Sequence, residues 1–214
     1  MSEFTIYGNP ASPYYRAVAL ALEEKGVTYA NARVQGEEHL KVQPFGKIPA
    51  IKHGDFAMYE TQAILRYIDA LYPTPALQPK EPRAIARMSQ VMNINDSYLF
   101  PQVARIIVFQ RIVGPALMGL KTDEAACAAA VPDTKRCLGE LNRLLGEQKF
   151  FAGDAVSLAD LMIAPQLELF ARTPEWATLT AETPSLVEWL ARMNVRPSLE
   201  ATTWERLAAI AEAA

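Results

Sequence analysis

Residues 4–34 switch periodicity twice, and no other stretch restricts the fold as much. Phe4-Thr5-Ile6-Tyr7 is short, β-prone and closed by Gly8-Asn9-Pro10, so it reads as a strand running into a loop. Ser12-Pro13 then sets a good N-cap directly before a good first helical residue. Val18, Leu22 and the neighbouring alanines keep one helical face apolar as far as Lys25-Gly26, a helix stop. Val27 to Val34 reads as a second strand. Strand, helix and strand within about 30 residues make a βαβ unit.

A polar stretch containing Gly36 follows, then Gln43-Pro44-Phe45-Gly46-Lys47-Ile48-Pro49 and the run Ala50-Ile51-Lys52. His53-Gly54-Asp55 is a tight turn, and Phe56 to Tyr59 returns as a strand, a β-hairpin signal. Glu60-Thr61 opens a helix with Ile64, Leu65, Ile68 and Leu71 inward, and Tyr72-Pro73-Thr74-Pro75 ends it. Beyond Pro79 and Pro82 the pattern is helical throughout. Ile85, Met88, Met92, Leu99, Val103 and Ile106 keep helical spacing, with a kink expected at Pro101. A second long helix ends with Leu138, Leu141 and Leu145, and shorter ones follow Ser157, Pro184 and Pro197. The order predicts an α/β domain over residues 1–76, a linker over 77–84 and an all-α domain over 85–214.

Composition narrows the partners. The 21 basic and 24 acidic residues leave a formal charge of −3, and neither part of the chain is a polyelectrolyte. Nucleic acid and anionic membrane therefore have no electrostatic footprint. No apolar run approaches the roughly 20 residues that span a bilayer, and Met-Ser-Glu-Phe-Thr does not begin a signal peptide. Cys127 and Cys137 are too few for a disulfide scaffold and read as core or surface thiols rather than a redox pair. A cytoplasmic location is expected.

Three segments carry candidate chemistry. A helix N-terminus offers free N–H groups and partial positive charge, so a hydroxyl at Ser12 could stabilise a thiolate, the reactive form of a thiol whose pKa is about 8.5. The plainer reading of Ser12 is a helix cap. In Lys47-Ile48-Pro49 an X-Pro bond precedes a strand, and such bonds are trans by default. At Glu60-Thr61 a carboxylate and a hydroxyl ahead of a helix could hold an amino group and a carboxylate, or could simply cap.

Their combination is more specific. Ser12-Pro13, Arg16 and Leu20-Ala21-Leu22-Glu23-Glu24-Lys25-Gly26 come first, followed by Pro44-Phe45-Gly46-Lys47-Ile48-Pro49-Ala50, then Tyr59-Glu60-Thr61 with Ile64 and Arg66-Tyr67-Ile68. Phe151-Ala152-Gly153-Asp154 and Ser157-Leu158-Ala159-Asp160 add a capping box in the helical half. In this order and spacing the chain resembles the cytosolic glutathione transferases over nearly its whole length. Among them it looks closest to the serine-type classes of the phi and tau kind and their bacterial relatives.

The resemblance implies a thioredoxin-like N-terminal domain joined to an all-α C-terminal domain. It implies that Ser12 donates a hydrogen bond to the glutathione thiolate and that Pro49 is cis. The Ile48 backbone would pair with the cysteinyl part of glutathione, Glu60 and Thr61 would hold the γ-glutamyl end, and Lys47 would lie within reach. No clear counterpart meets the glycyl carboxylate; His39 and Lys41 are the candidates. Tyr7 is the rival for thiol activation, because other classes use a tyrosine near the end of the first strand. No cysteine precedes Cys127, which argues against a mixed disulfide here. For the acceptor site, which the family builds between its domains, Tyr14, Tyr15, Tyr98 and Arg105 are candidates. The expected activity is conjugation of glutathione to a small, apolar electrophile, with no metal and no cofactor beyond glutathione as co-substrate, in a homodimer. Alternatives on the same fold are dehalogenation, ether cleavage or peroxide reduction, and a non-catalytic ligand or partner binder.

Overall fold

A computed structural model describes residues 4–32 and 36–213. In chain order, β1 (Phe4–Tyr7), α1 (Pro13–Lys25), β2 (Tyr29–Ala32) and α2 (Gly36–Val42) lead to β3 (Ala50–His53), β4 (Phe56–Tyr59) and α3 (Thr61–Leu71). Helix α4 (Pro82–Ile94) then passes into π-helical Asn95–Leu99, α5 (Phe100–Gln102), π-helical Val103–Val113 and α6 (Gly114–Met118). Helices α7 (Glu124–Leu145), α8 (Leu158–Phe170), α9 (Glu175–Leu179), α10 (Pro184–Asn194), α11 (Pro197–Ala201) and α12 (Trp204–Ala213) complete the chain. Two compact units result: Met1–Gln78 with Val195–Ala214, and Pro79–Asn194.

The first unit is the α/β arrangement the pattern predicts. Its sheet has the order β2-β1-β3-β4, with β1 parallel to β2 and antiparallel to β3. The α1 crossover is what permits the parallel pair. Phe4 and Ile6 on β1 are fully buried, as are Val18, Leu20 and Leu22 on α1 and Ile64, Leu65 and Ile68 on α3. Helix α1 stops because Gly26 takes the left-handed conformation (φ 66°) and its N–H returns to Glu23 O at 3.0 Å. The hairpin connection is shorter than expected: β3 runs through His53, leaving Gly54-Asp55 as the turn. The observed β2 occupies the middle of the expected second strand, and Val34 lies outside the described residues.

Two features depart from the sequence reading. Helix α2 forms where only a polar stretch was legible, because its apolar signal is thin: His39 and Val42, one turn apart, are its buried side. The final segment also returns. Helix α11 packs on α1 and α12 on β2, so the last 20 residues, which the pattern assigned to an all-α domain ending at 214, sit in the first unit.

The second unit is all helical. Around Pro101 the helix widens into π turns rather than showing a simple proline break. A proline ring would strike the Ser97 carbonyl in a tight α-helix, and an expanded turn relieves that contact. Helix α8 is apolar on nearly every side and buried along almost its whole length. Its start is organised by Asp160, which is fully buried. That carboxylate accepts from Ser157 N (2.9 Å), Ser157 Oγ (2.6 Å), Phe151 N (3.1 Å) and Trp189 Nε1 (2.7 Å). Cys127 and Cys137 are free and buried.

Candidate functional site

The strand register brings the three candidate segments to one end of the sheet. Tyr7 pairs with Ala50, and Ala50 pairs with Tyr59 on its other side. With neighbouring strands about 5 Å apart, the loop leaving β1 toward Ser12, the Lys47-Ile48-Pro49 approach to β3 and the Glu60-Thr61 exit from β4 all start from one edge. The N-termini of α1 and α3 open there as well.

Ser12 is the N-cap of α1, in extended backbone (φ −79°, ψ 125°), half-buried. Its Oγ accepts from Tyr15 N at 3.4 Å, a long cap contact. A cap uses the oxygen as acceptor, so the hydroxyl hydrogen stays free to be donated elsewhere. Asn9 shapes the preceding loop: its side chain accepts from Ala11 N (2.9 Å) and its carbonyl from Ser12 N (2.9 Å). No sequence signal had singled out Asn9.

The Ile48-Pro49 peptide is cis, as the family resemblance implied and as local sequence did not. Lys47 is exposed, Ile48 half-buried and Pro49 buried. Glu60 is exposed with φ 70°, the only non-glycine with positive φ among the described residues, and its side chain makes no cap hydrogen bond. That conformation costs a side-chain-bearing residue about 1–3 kcal/mol. Simple capping therefore does not account for Glu60. Thr61 begins α3 beside it, buried.

Tyr7 lies on the sheet face opposite Phe4 and Ile6, with Lys52 Nζ 5.8 Å from its ring centroid. Tyr15, an acceptor-site candidate by sequence, is instead a core side chain. It is 1% exposed, its hydroxyl meets Asn31 Oδ1, and burial pushes its phenol well above the ordinary tyrosine range. Its ring lies so close to Gly8 that a Cβ there would come within 2.5 Å of it, which explains glycine at the start of this loop. Tyr14 is half-buried; in the second unit, Tyr98 and Arg105 are exposed on the π-helical turns. His39, a candidate for the glycyl carboxylate, is also buried, and its Nε2 contacts Lys47 O at 2.7 Å, so its ring serves the loop rather than an open surface. Lys41 is exposed on α2. Gln43 Oε1 accepts from Phe45 N (2.7 Å) and Lys47 N (3.1 Å), a loop anchor that sequence reading passed over. No helix among the described residues is long and apolar enough to cross a membrane.

Comparison with known proteins agrees with this fold. Residues 6–76 match the family model for the glutathione S-transferase N-terminal domain, and residues 100–197 match that for the C-terminal domain. The chain is 31% identical over 210 residues to a probable glutathione S-transferase of Oryza sativa subsp. japonica, covering 94% of this chain and 95% of the relative. It is 30% identical over 207 residues to a glutathione S-transferase of Arabidopsis thaliana, covering 92% and 98%. Among solved structures, a glutathione S-transferase in apo form superimposes with TM-score 0.84 at 30% identity, covering 98% and 97%. A theta-class enzyme of Xanthomonas axonopodis pv. citri with glutathione bound superimposes with TM-score 0.81 at 26% identity, covering 95% and 98%.

Proposed function

The chain belongs to the glutathione S-transferase family, and from that premise we propose a glutathione transferase in which Ser12 donates the hydrogen bond that stabilises the bound thiolate. The carrying observation is the register Tyr7–Ala50–Tyr59, which starts the Ser12 loop, the Ile48-Pro49 approach and the Glu60-Thr61 turn from one sheet edge.

In the proposed reaction glutathione lies along that edge, and its thiol gives its proton to solvent. The resulting thiolate accepts the Ser12 O–H beside the positive end of α1, while Oγ keeps its cap contact with Tyr15 N. Sulfur then forms a bond to an electrophilic carbon of a small apolar co-substrate, and the displaced group leaves with the bonding pair. The Ile48 backbone pairs with the cysteinyl unit. Glu60 holds the γ-glutamyl ammonium, and Thr61 with the α3 N-terminus holds its carboxylate. Lys47, exposed beside Ile48, is a further contact to the peptide in this reading. Tyr14, Tyr98 and Arg105 are the remaining acceptor-site candidates. A homodimer and a cytoplasmic location go with the same reading.

The test is capture on immobilised glutathione followed by turnover with an aryl halide. Binding with conjugation supports the proposal. Binding without conjugation of any acceptor would make the chain a carrier, and no binding would overturn the reading.

A further inference from the structure

The loop before β3 is held at the two peptide groups that flank the Lys47 Cα. Helix α2 supplies His39, 4% exposed, whose Nε2 lies 2.7 Å from Lys47 O. A carbonyl oxygen only accepts, so His39 Nε2 carries the proton in this contact. Gln43, 1% exposed and just past the end of α2, takes Lys47 N–H on its Oε1 at 3.1 Å, together with Phe45 N–H at 2.7 Å. Both backbone groups of Lys47 are thus tied to buried side chains, one on α2 and one at the residue that follows it.

The consequence falls on Ile48. Lys47 C=O and Ile48 N–H belong to one planar trans peptide, so they point in opposite directions. Pulling the carbonyl inward onto His39 turns the Ile48 N–H away from the protein. That N–H has no hydrogen-bond partner among the described residues, and Pro49 behind it has no N–H to compete.

We propose that His39 and Gln43 are positioning residues that aim the Ile48 N–H at the peptide backbone of bound glutathione. This rests on the reading of the site given above. Neither residue touches the ligand. They act by holding two consecutive peptide planes, His39 the Lys47–Ile48 plane and Gln43 the Gly46–Lys47 plane before it, which spares the loop the ordering it would otherwise undergo on binding.

The experiment compares the parent enzyme with His39→Phe and Gln43→Leu, which delete the loop contacts at similar volume. His39→Gln and Gln43→Glu restore a donor or an acceptor of the same reach. Glutathione KM, kcat with a saturating aryl halide, and Tm are measured for each. The deletions are expected to raise glutathione KM about tenfold, as loss of one well-ordered hydrogen bond does, with kcat changed less than about threefold. The restoring variants are expected to keep KM within about threefold of the parent. A purely structural role would lower Tm and the active fraction and leave KM where it was; that result overturns the proposal. Should His39→Phe fail to fold, His39→Asn, whose shorter amide cannot reach Lys47 O, takes its place under the same criterion. A parent enzyme that does not bind glutathione refutes the functional reading itself, whereas a parent that binds beside unchanged variants refutes only this inference.

Discussion

Glu24 and Arg196, 172 residues apart in the chain, form a two-pronged ion pair: the guanidinium Nε and Nη2 reach the two carboxylate oxygens at 2.8 and 2.7 Å. The Glu24 side chain is only 8% exposed, and Ser198 Oγ also donates to it. About two turns earlier on α1, Arg16 Nε donates to Thr202 O at 2.8 Å. The returning segment is therefore bound along the same helix that begins with Ser12. Glu24→Ala is expected to lower unfolding free energy by about 2–3 kcal/mol, because it removes a nearly buried carboxylate that accepts from both Arg196 and Ser198. A double-mutant cycle with Arg196→Ala, read by urea unfolding, should show coupling of at least about 1 kcal/mol. Purely additive effects would mean that apolar packing holds the segment without help from the ion pair.

In the proposed reaction Ser12→Ala removes a donor to the thiolate and none to the rest of the peptide. Turnover at neutral pH is expected to fall about 100-fold, with glutathione affinity changed less than about threefold and the pH profile moved alkaline. Steady-state kinetics across pH checks this. Full rate in Ser12→Ala beside a loss in Tyr7→Phe would move the role to Tyr7.

Glu60 occupies a backbone conformation that suits glycine. Glu60→Gly should therefore raise Tm by about 2–4 °C, equivalent to about 1 kcal/mol in a chain of this size. The same change should raise glutathione KM about tenfold. Stability and binding moving in opposite directions is the signature of strain kept for function; a Tm that falls would refute it.

Asp160→Ala leaves Ser157 N–H, Ser157 O–H, Phe151 N–H and Trp189 Nε1–H without their acceptor inside the second unit. A loss of about 3–5 kcal/mol is expected, read by chemical denaturation. A loss below about 1 kcal/mol would show that water replaces the carboxylate.

Burial, with a smaller contribution from the charge of Glu140, pushes the Cys137 thiol up from 9.0 to about 12. Below about pH 8 the thiol is protonated in both folded and unfolded chains. From pH 9 to 12 the unfolded chain ionises first, so the contribution to stability falls as pH rises. The slope of unfolding free energy against pH between 9 and 11 should accordingly be shallower in Cys137→Ala by about one proton. In the native parent at pH 8, iodoacetamide should leave Cys137 unlabelled until denaturant is added. Prompt native labelling would contradict this burial.

Sequence alone determined the elements whose signal is local. The β1–α1–β2 order, the hairpin, α3 and the Ser157–Asp160 box are each written in a few consecutive residues, as turn chemistry, capping or periodicity. Ser12 and Glu60-Thr61 were legible locally as caps and Ile48-Pro49 as an X-Pro bond before a strand; their reading as one site came from the resemblance their combination carries. Tertiary structure decided what depends on distant partners. Tyr15 has an acceptable helical address, but whether it faces a ligand or Gly8 depends on how α1 lies on β1. His39 reads as a candidate for the glycyl carboxylate until α2, a helix too weakly patterned to announce itself, turns it onto Lys47. The closing 20 residues look like more of an all-α domain until Glu24 and Arg16 take hold of Arg196 and Thr202. A hydrogen-bond partner almost 200 residues away leaves no trace in local spacing, and only the packed chain brings the two together.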